Sequence, residues 1–186
     1  MTIPSNTVVY CDANFLVAYG AKQVKQPEIQ KRAQILFAQF LSKGCQIAAS
    51  SLSFDEAWNG IRIEAGPKKI KGKARFLLNS ILNKLGLRLI NSGSIEFSYS
   101  DVLSDIKNFT RNLLDSPKFM VIQFPATQEK TGVTQSLDNI DSFKLKPRDS
   151  FHLSIIQLNR IEHVVTRDSN DFGSRIKGSG INVISF

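Results

Sequence analysis

Two patterns of hydrophobic positions alternate along this chain. Short runs rich in valine, isoleucine and other apolar residues are separated by longer segments in which apolar residues recur every three or four positions. The short runs predict strands, and the longer segments predict amphipathic helices. We predict strands from Val8 to Cys11, Gln46 to Ala49, Phe119 to Phe124, His163 to Thr166 and Asn182 to Phe186. Alternating strands and helices are typical of βαβ units, so the pattern predicts an α/β fold with a mainly parallel sheet of about five strands.

The segments between the strands carry residues that begin and end helices. Pro27 suits the first turn of a helix that runs to Ser42. Ser51 or Ser53 is placed to cap the next helix, whose inner side would carry Trp58. The remaining helical segments are a short one from Asn14, one ending near Leu85, one from about Ser100 to Leu114, an indistinct polar one between Gln128 and Lys146, and one from Pro147 to about Arg160. We predict a single domain over 1–186, with a longer helical stretch at about 66–118.

Acidic residues recur where the predicted strands end. Asp12 and Asp168 follow two of the strands, and Glu56 lies early in the helix after another. In a parallel sheet these positions share the edge at which ligands bind. Asp149 begins a later helix and needs the tertiary fold to join them. Carboxylates brought together in a cleft repel one another unless a cation neutralises them, and their oxygens suit Mg²⁺ or Mn²⁺. The sequence therefore suggests a divalent-metal site.

Composition adds an expected partner and an expected location. The 186 residues include 24 Lys and Arg against 16 Asp and Glu, a formal net charge of +8, which points toward a polyanion. No segment approaches the roughly 20 apolar residues that span a bilayer, so we expect no membrane contact and a cytoplasmic location. The two cysteines, Cys11 and Cys45, are too few for a disulfide scaffold and are interpreted as plain thiols. The candidate phosphate-binding residues, equally explained as a solvated basic surface, are Lys68, Lys69, Lys71, Lys73 and Arg75, together with Arg148 and Arg167 beside the acids.

Four motifs in order resemble a known family. They are a strand ending in D-x-N at Asp12, a glutamate in an apolar helix at Glu56, P-x-D-x-x-H from Pro147, and a strand followed by T-R-D-x-x-D-F from Thr166. The set is similar to the PIN-domain ribonucleases, and in particular to the VapC toxins of bacterial toxin–antitoxin pairs. It covers most of the chain, although the stretch between Glu56 and Asp149 is longer than in the compact toxins.

The resemblance implies a fold, an activity and partners. It implies a parallel sheet with helices on both faces and a metal-dependent endoribonuclease that acts on RNA. It also implies a possible antitoxin partner and a homodimer. The residues it implies as Mg²⁺ or Mn²⁺ ligands and catalytic groups are Asp12, Glu56, Asp149 and Asp168, with Asp171 as a further or alternative metal ligand and Asn14 and Thr166 in support.

Several of these residues also have plain structural interpretations. Asp12 and Asn14 each suit a helix N-cap, and Asp149 would complement a helix dipole. Asp55, next to Glu56, would point about 100° away around the helix. We interpret His152 as a packing or surface histidine rather than a metal ligand or base. His163, which opens a strand, is interpreted as structural.

Two other functions compete with the nuclease. One is a non-catalytic RNA-binding or scaffold module with the same fold. The other is a receiver-type or phosphatase-like α/β protein with a phosphorylatable aspartate, in which the T-R-D-x-x-D-F segment would have no role. Because no serine or histidine stands in an arrangement for nucleophilic catalysis, the nuclease hypothesis makes water the attacking group.

Overall fold

A five-stranded parallel sheet forms the centre of the computed structural model, which describes residues 4–21, 26–65, 67–69, 72–86, 94–96, 98–168 and 170–186. The elements in chain order are β1 Val8–Cys11, α1 Ala13–Gly20, α2 Pro27–Ser42, β2 Gln46–Ser50, α3 Ser51–Glu64, β3 Pro67–Lys69, α4 Gly72–Lys84, β4 Ser94–Glu96, α5 Tyr99–Leu114, β5 Phe119–Ile122, α6 Glu129–Phe143, α7 Pro147–Leu158, β6 His163–Thr166, α8 Phe172–Arg175 and β7 Asn182–Ser185. The strand order in the sheet is β5-β2-β1-β6-β7. The predicted α/β class and parallel five-stranded sheet are therefore confirmed.

Alternate residues of the central strands face opposite sides of the sheet. Val9 and Ile47 pack into a core formed with α1, α2, α3 and α5. Tyr10, Ala48 and Val164 pack into a second core, formed mainly with α7 and α8. This period of two places a buried layer of helices on each face, as expected of a parallel sheet covered on both sides.

Several predicted boundaries shift in the structure. β2 extends to Ser50, because this residue pairs with Ile122 of β5. β5 ends at Ile122 rather than Phe124, and β7 ends at Ser185 rather than Phe186. The N-cap of α3 is Ser50, not Ser51 or Ser53, since the Ser50 hydroxyl accepts from the Ser53 N–H at 3.2 Å.

Two features of the middle of the chain differ from the sequence expectation. The stretch predicted to be helical also contains β3 and β4, which pair antiparallel. Strands of three residues are too short to produce a periodic signal, and their pairing joins distant segments. Trp58, predicted on the inner side of α3, has 36% of its surface exposed, with its indole N–H donating to Thr110 Oγ1 at 2.9 Å. None of the helices in the described ranges is long and apolar enough to cross a membrane.

Three chain turns meet at the carboxyl edge of the sheet. β1 passes directly into α1 through Asp12, and β2 passes into α3 at Ser50. β6 lies beside β1, and the Asp12 N–H donates to the carbonyl of Val165 at 3.1 Å. α1 and α3 cross closely above this edge, because Gly60 lets Val17 approach: a Cβ at Gly60 would lie 2.6 Å from Val17 Cγ2. These turns position the candidate site.

Candidate metal centre

A cleft of about 380 Å³ opens at this edge, between α1, α3, the start of α7 and the chain that follows β6. Its lining combines carboxylates with two arginines and a few apolar groups. The acids of the lining are Asp12, Glu56, Glu64, Asp149 and Asp168, and the arginines are Arg148 and Arg167. The fold thus brings together all four acids that the motifs predicted as metal ligands.

Asp12 is held in place by three donors. As the N-cap of α1, its Oδ1 accepts from the Ala13 N–H at 2.6 Å. Its Oδ2 accepts from the hydroxyl of Thr166 at 2.7 Å and from the amide of Asn14 at 3.2 Å. Asn14 and Thr166 therefore make the contacts with Asp12 that a supporting residue would make. The capping interpretation of Asp12 is also confirmed, because Oδ1 caps α1 while Oδ2 accepts from Asn14 and Thr166.

Glu56 reaches the cleft from the second turn of α3 and has a donor at each oxygen. Arg148 Nη1 lies 3.4 Å from Oε1, and His152 Nε2 lies 3.2 Å from Oε2. Arg148 also contacts the more exposed Asp55, with Nη2 3.7 Å from Oδ2. Asp55 therefore points to Arg148 at the surface, while Glu56 lies inside the cleft.

Asp12, Glu56 and His152 form the tightest cluster of possible ligands among the described residues. One ligand atom from each lies within 4.8 Å of the others. Burial raises the pKa of the Asp12 carboxyl above its ordinary value, an effect that His152 and Thr166 partly oppose and the charge of Glu56 reinforces. Burial also acts to raise the pKa of Glu56, but hydrogen bonding and charge from His152 and Arg148 outweigh it and lower this pKa. A cation bound here would relieve the cost of ionising Asp12.

Asp149 and Asp168 complete the acidic lining from two other elements. Asp149 lies in the first turn of α7, and burial raises its pKa, reinforced by the charges of Asp12 and Glu56 and opposed by those of His152 and Lys146. Asp168 follows β6; its N–H donates to Thr166 Oγ1 at 3.0 Å, and its Oδ1 accepts from the Asp171 N–H at 3.1 Å. Thr166 thus links the two acids that follow β1 and β6.

Asp171 occupies a different position from these acids. Its carboxylate accepts from Lys146 Nζ at 3.1 Å and from the guanidinium of Arg175. These two cations lower its pKa, and Asp171 in turn raises the pKa of Lys146. The structure places the Asp171 side chain in an ion-paired cluster beside the cleft, rather than with the carboxylates that line it.

The predicted basic residues are only partly described. Arg148 and Arg167 line the cleft, and Arg167 Nη2 donates to Gln26 Oε1 at 2.8 Å. Lys71 lies outside the described residues, as do the side chains of Lys68, Lys69, Lys73 and Arg75.

The sequence did not predict the contact of His152 with Glu56, and two other groups were missed. His152 is buried at 3% exposure and bonded through both ring nitrogens, which fits a packing histidine, but it also contacts Glu56 in the acidic cluster. The hydroxyl of Tyr10 bonds to His152. The sequence does not indicate this contact, because Tyr10 fits the pattern of a buried strand like its neighbours. Glu64 lines the cleft two turns after Glu56. This spacing places both residues on one side of a helix, so Glu64 could have been predicted from Glu56.

Comparisons with known proteins place the fold. No protein-family model and no curated protein matches the sequence. The solved structure of VapBC2 from Rickettsia felis, bound to a DNA fragment from their promoter, is similar with a TM-score of 0.52 and 12% identity, covering 96% of this chain and 98% of that chain. A toxin–antitoxin complex from Klebsiella pneumoniae has a TM-score of 0.49 and 17% identity over 95% of this chain and 96% of the other. FitAcB from Neisseria gonorrhoeae has a TM-score of 0.43 and 12% identity, covering 95% of this chain and 96% of that chain. The chain has a PIN-like fold of the VapC type, which confirms the predicted resemblance.

Proposed function

We propose that this protein is a metal-dependent endoribonuclease, which hydrolyses RNA phosphodiester bonds and acts as the toxin of a toxin–antitoxin pair. One observation carries the proposal: Asp12, Glu56, Asp149 and Asp168 reach one cleft from separate parts of the chain. Four neighbouring carboxylates repel one another, which is unfavourable in a purely structural role, whereas a metal nuclease uses them to hold its cation. The PIN-like fold supports the same function.

The donor set of the cleft fits Mg²⁺ or Mn²⁺. Carboxylate oxygens are the preferred ligands of these hard cations, and the half-buried cleft leaves room for water and substrate. Asp12, Glu56, Asp149 and Asp168 would hold the ion. When bound, the ion would lower the pKa of a water molecule and neutralise charge on the phosphate.

Other groups around the cleft would orient the metal ligands and bind the RNA. Thr166, Asn14 and the N–H of Ala13 hold the Asp12 carboxylate in one orientation, so it needs no reorganisation when an ion or a substrate enters. Arg148 is well exposed, and its two contacts with acids, at 3.4 and 3.7 Å, are long. It can therefore turn toward an RNA phosphate, and Arg167 lines the same cleft. The positive net charge of the chain would draw RNA to this surface.

Cleavage of end-labelled RNA tests the nuclease. The wild-type chain, Asp12→Asn and Asp141→Asn would each be incubated with Mn²⁺ or with a chelator. Asp141→Asn is the matched control, because Asp141 is a well-exposed acid on α6 whose partner is Lys144. We expect metal-dependent cleavage by the wild type and by Asp141→Asn, and none by Asp12→Asn. Cleavage that survives Asp12→Asn would contradict the site, and salt-sensitive RNA binding without any cleavage would favour a non-catalytic binding module.

The toxin role has a separate test in cells. It is supported by the similarity to the VapBC2 structure. We expect induced expression of the wild type to arrest growth, Asp12→Asn to be harmless, and co-expression of the adjacent gene's product to restore growth through a direct complex. We also propose that the chain forms a homodimer, as the family resemblance implies; sedimentation of the purified chain at the mass of a dimer would support this, and sedimentation as a monomer would contradict it. Harmless expression of a chain that cleaves RNA in vitro would contradict the toxin role alone.

A further inference from the structure

A buried chain of hydrogen bonds runs from the sheet to Glu56. The Tyr10 hydroxyl lies 2.5 Å from His152 Nδ1, 2.7 Å from Ser50 Oγ and 3.0 Å from Ser53 Oγ. The His152 ring continues the chain, with Nε2 3.2 Å from Glu56 Oε2. Tyr10, Ser50, Ser53 and His152 are all at most 3% exposed. Four polar groups this deeply buried and mutually bonded form a rigid support.

The chemistry of these groups fixes the direction of the last bond. A carboxylate has only acceptors, so His152 Nε2 must carry the proton and donate to Glu56. Nδ1 can then accept from the Tyr10 hydroxyl, or donate to it if the ring is protonated. In either state Nε2 has no lone pair available for a metal ion. The geometry therefore makes His152 a partner of a ligand rather than a ligand.

We propose that Tyr10 and His152 are positioning residues, which hold the Glu56 carboxylate in the orientation that binds the metal ion. The inference rests on the proposed function only in that the cleft binds a divalent cation. Tyr10 is anchored in β1 and bonded to the start of α3 through Ser50 and Ser53. It locks the His152 ring, and the ring donates to Oε2 while Arg148 contacts Oε1. Glu56 can thus offer its remaining lone pairs to an ion without searching among rotamers.

Manganese affinity of the full-length chain tests the proposal. Mn²⁺ binding would be measured by electron paramagnetic resonance for the wild type, Tyr10→Phe, His152→Gln and His152→Asn, with thermal unfolding of each as a check on folding. His163→Gln is the matched control, since His163 opens β6 at the opposite edge of the sheet. A glutamine amide reaches the position of Nε2 and can still donate to Glu56, whereas an asparagine amide is too short.

The expected results separate positioning from packing. Tyr10→Phe and His152→Asn should each weaken Mn²⁺ binding about tenfold or more, the usual effect of removing a partner of a metal ligand. His152→Gln should recover most of this loss, and His163→Gln should bind as the wild type does. A role in packing alone would change thermal unfolding without this pattern in metal affinity.

Three results would overturn the inference, and the first two are distinguishable from failure of the nuclease proposal. Folded Tyr10→Phe with wild-type Mn²⁺ affinity would show that the chain of hydrogen bonds does not position Glu56. Equal losses in His152→Gln and His152→Asn, with none in Tyr10→Phe, would make His152 a direct ligand. A wild type that binds no Mn²⁺ would overturn this inference together with the metal site, whereas Mn²⁺ binding without RNA cleavage would contradict the nuclease alone.

Discussion

Replacing Thr166 with valine removes one hydroxyl from the base of the cleft and keeps the shape of the side chain. Thr166 is fully buried at the end of β6. Its hydroxyl donates to Asp12 Oδ2 at 2.7 Å and accepts from the Asp168 N–H at 3.0 Å. The substitution therefore deletes both hydrogen bonds and leaves packing almost unchanged, so its effect reports on these two contacts.

The two deleted hydrogen bonds set the expected loss of stability. A hydrogen bond to a charged group contributes about 1.5–3 kcal/mol and a neutral one about 1 kcal/mol. Thr166→Val should then lower the free energy of unfolding by about 2.5–4 kcal/mol. In a chain of this size each kcal/mol corresponds to about 2–4 °C in Tm. The loss should also raise the pKa of Asp12 further, because Thr166 is one of the groups that oppose the effect of burial on this carboxyl.

Denaturant unfolding followed by circular dichroism measures the change, at neutral pH with chelator present. Thr134→Val is the matched control: its hydroxyl lies on the exposed side of α6 and donates only to the carbonyl of Lys130, at 3.2 Å. We expect the control to stay within about 0.5 kcal/mol of the wild type. A Thr166→Val loss no larger than that of Thr134→Val would refute the view that this hydroxyl holds the two acids.

Three further predictions follow from the cleft. Because burial raises the pKa of Asp12, the folded chain binds more protons than the unfolded chain between the two pKa values, and the free energy of unfolding falls as pH rises through the folded pKa. Asp12→Asn should flatten this fall when unfolding without metal is measured from about pH 4 to 7, and an unchanged slope would show that Asp12 does not titrate with a raised pKa. Gly60→Ala should cost about 1–3 kcal/mol of unfolding free energy through overpacking against Val17, and an alanine tolerated at no cost would show that α1 and α3 cross less closely. Within one loop, Asp168→Asn should weaken Mn²⁺ binding measured by calorimetry, while Asp171→Asn should leave it unchanged, because Lys146 and Arg175 already pair with Asp171; the reverse order would make Asp171 the ligand.

The sheet and most of the acidic cleft follow from local features of the sequence. Asp12 and Asp168 come directly after buried strands, so the rule for parallel sheets is enough to place them at one edge. Glu56 required the helical pattern of α3 as well. The motifs identified Asp149 only by resemblance, because nothing in the sequence shows where α7 packs.

The parts that sequence could not supply depend on contacts between distant residues. His152 and Glu56 are 96 positions apart, and only the tertiary structure, which brings the start of α7 to α3, shows that they share a hydrogen bond. A tyrosine in a buried strand gives no sign that its hydroxyl bonds to a histidine on another helix. Asp171 and Asp168 look alike in sequence. They differ because Asp171 pairs with two cations, Arg175 of α8 and Lys146 just before α7.

Anomalous scattering from a crystal grown with Mn²⁺ would test the metal centre most directly. We predict a Mn²⁺ peak in the cleft within ligand distance of the carboxylates of Asp12 and Glu56, together with its loss in an isomorphous crystal of Asp12→Asn. A peak held instead by the Asp171 cluster, or a cleft free of Mn²⁺ at saturating concentration, would contradict the proposed centre.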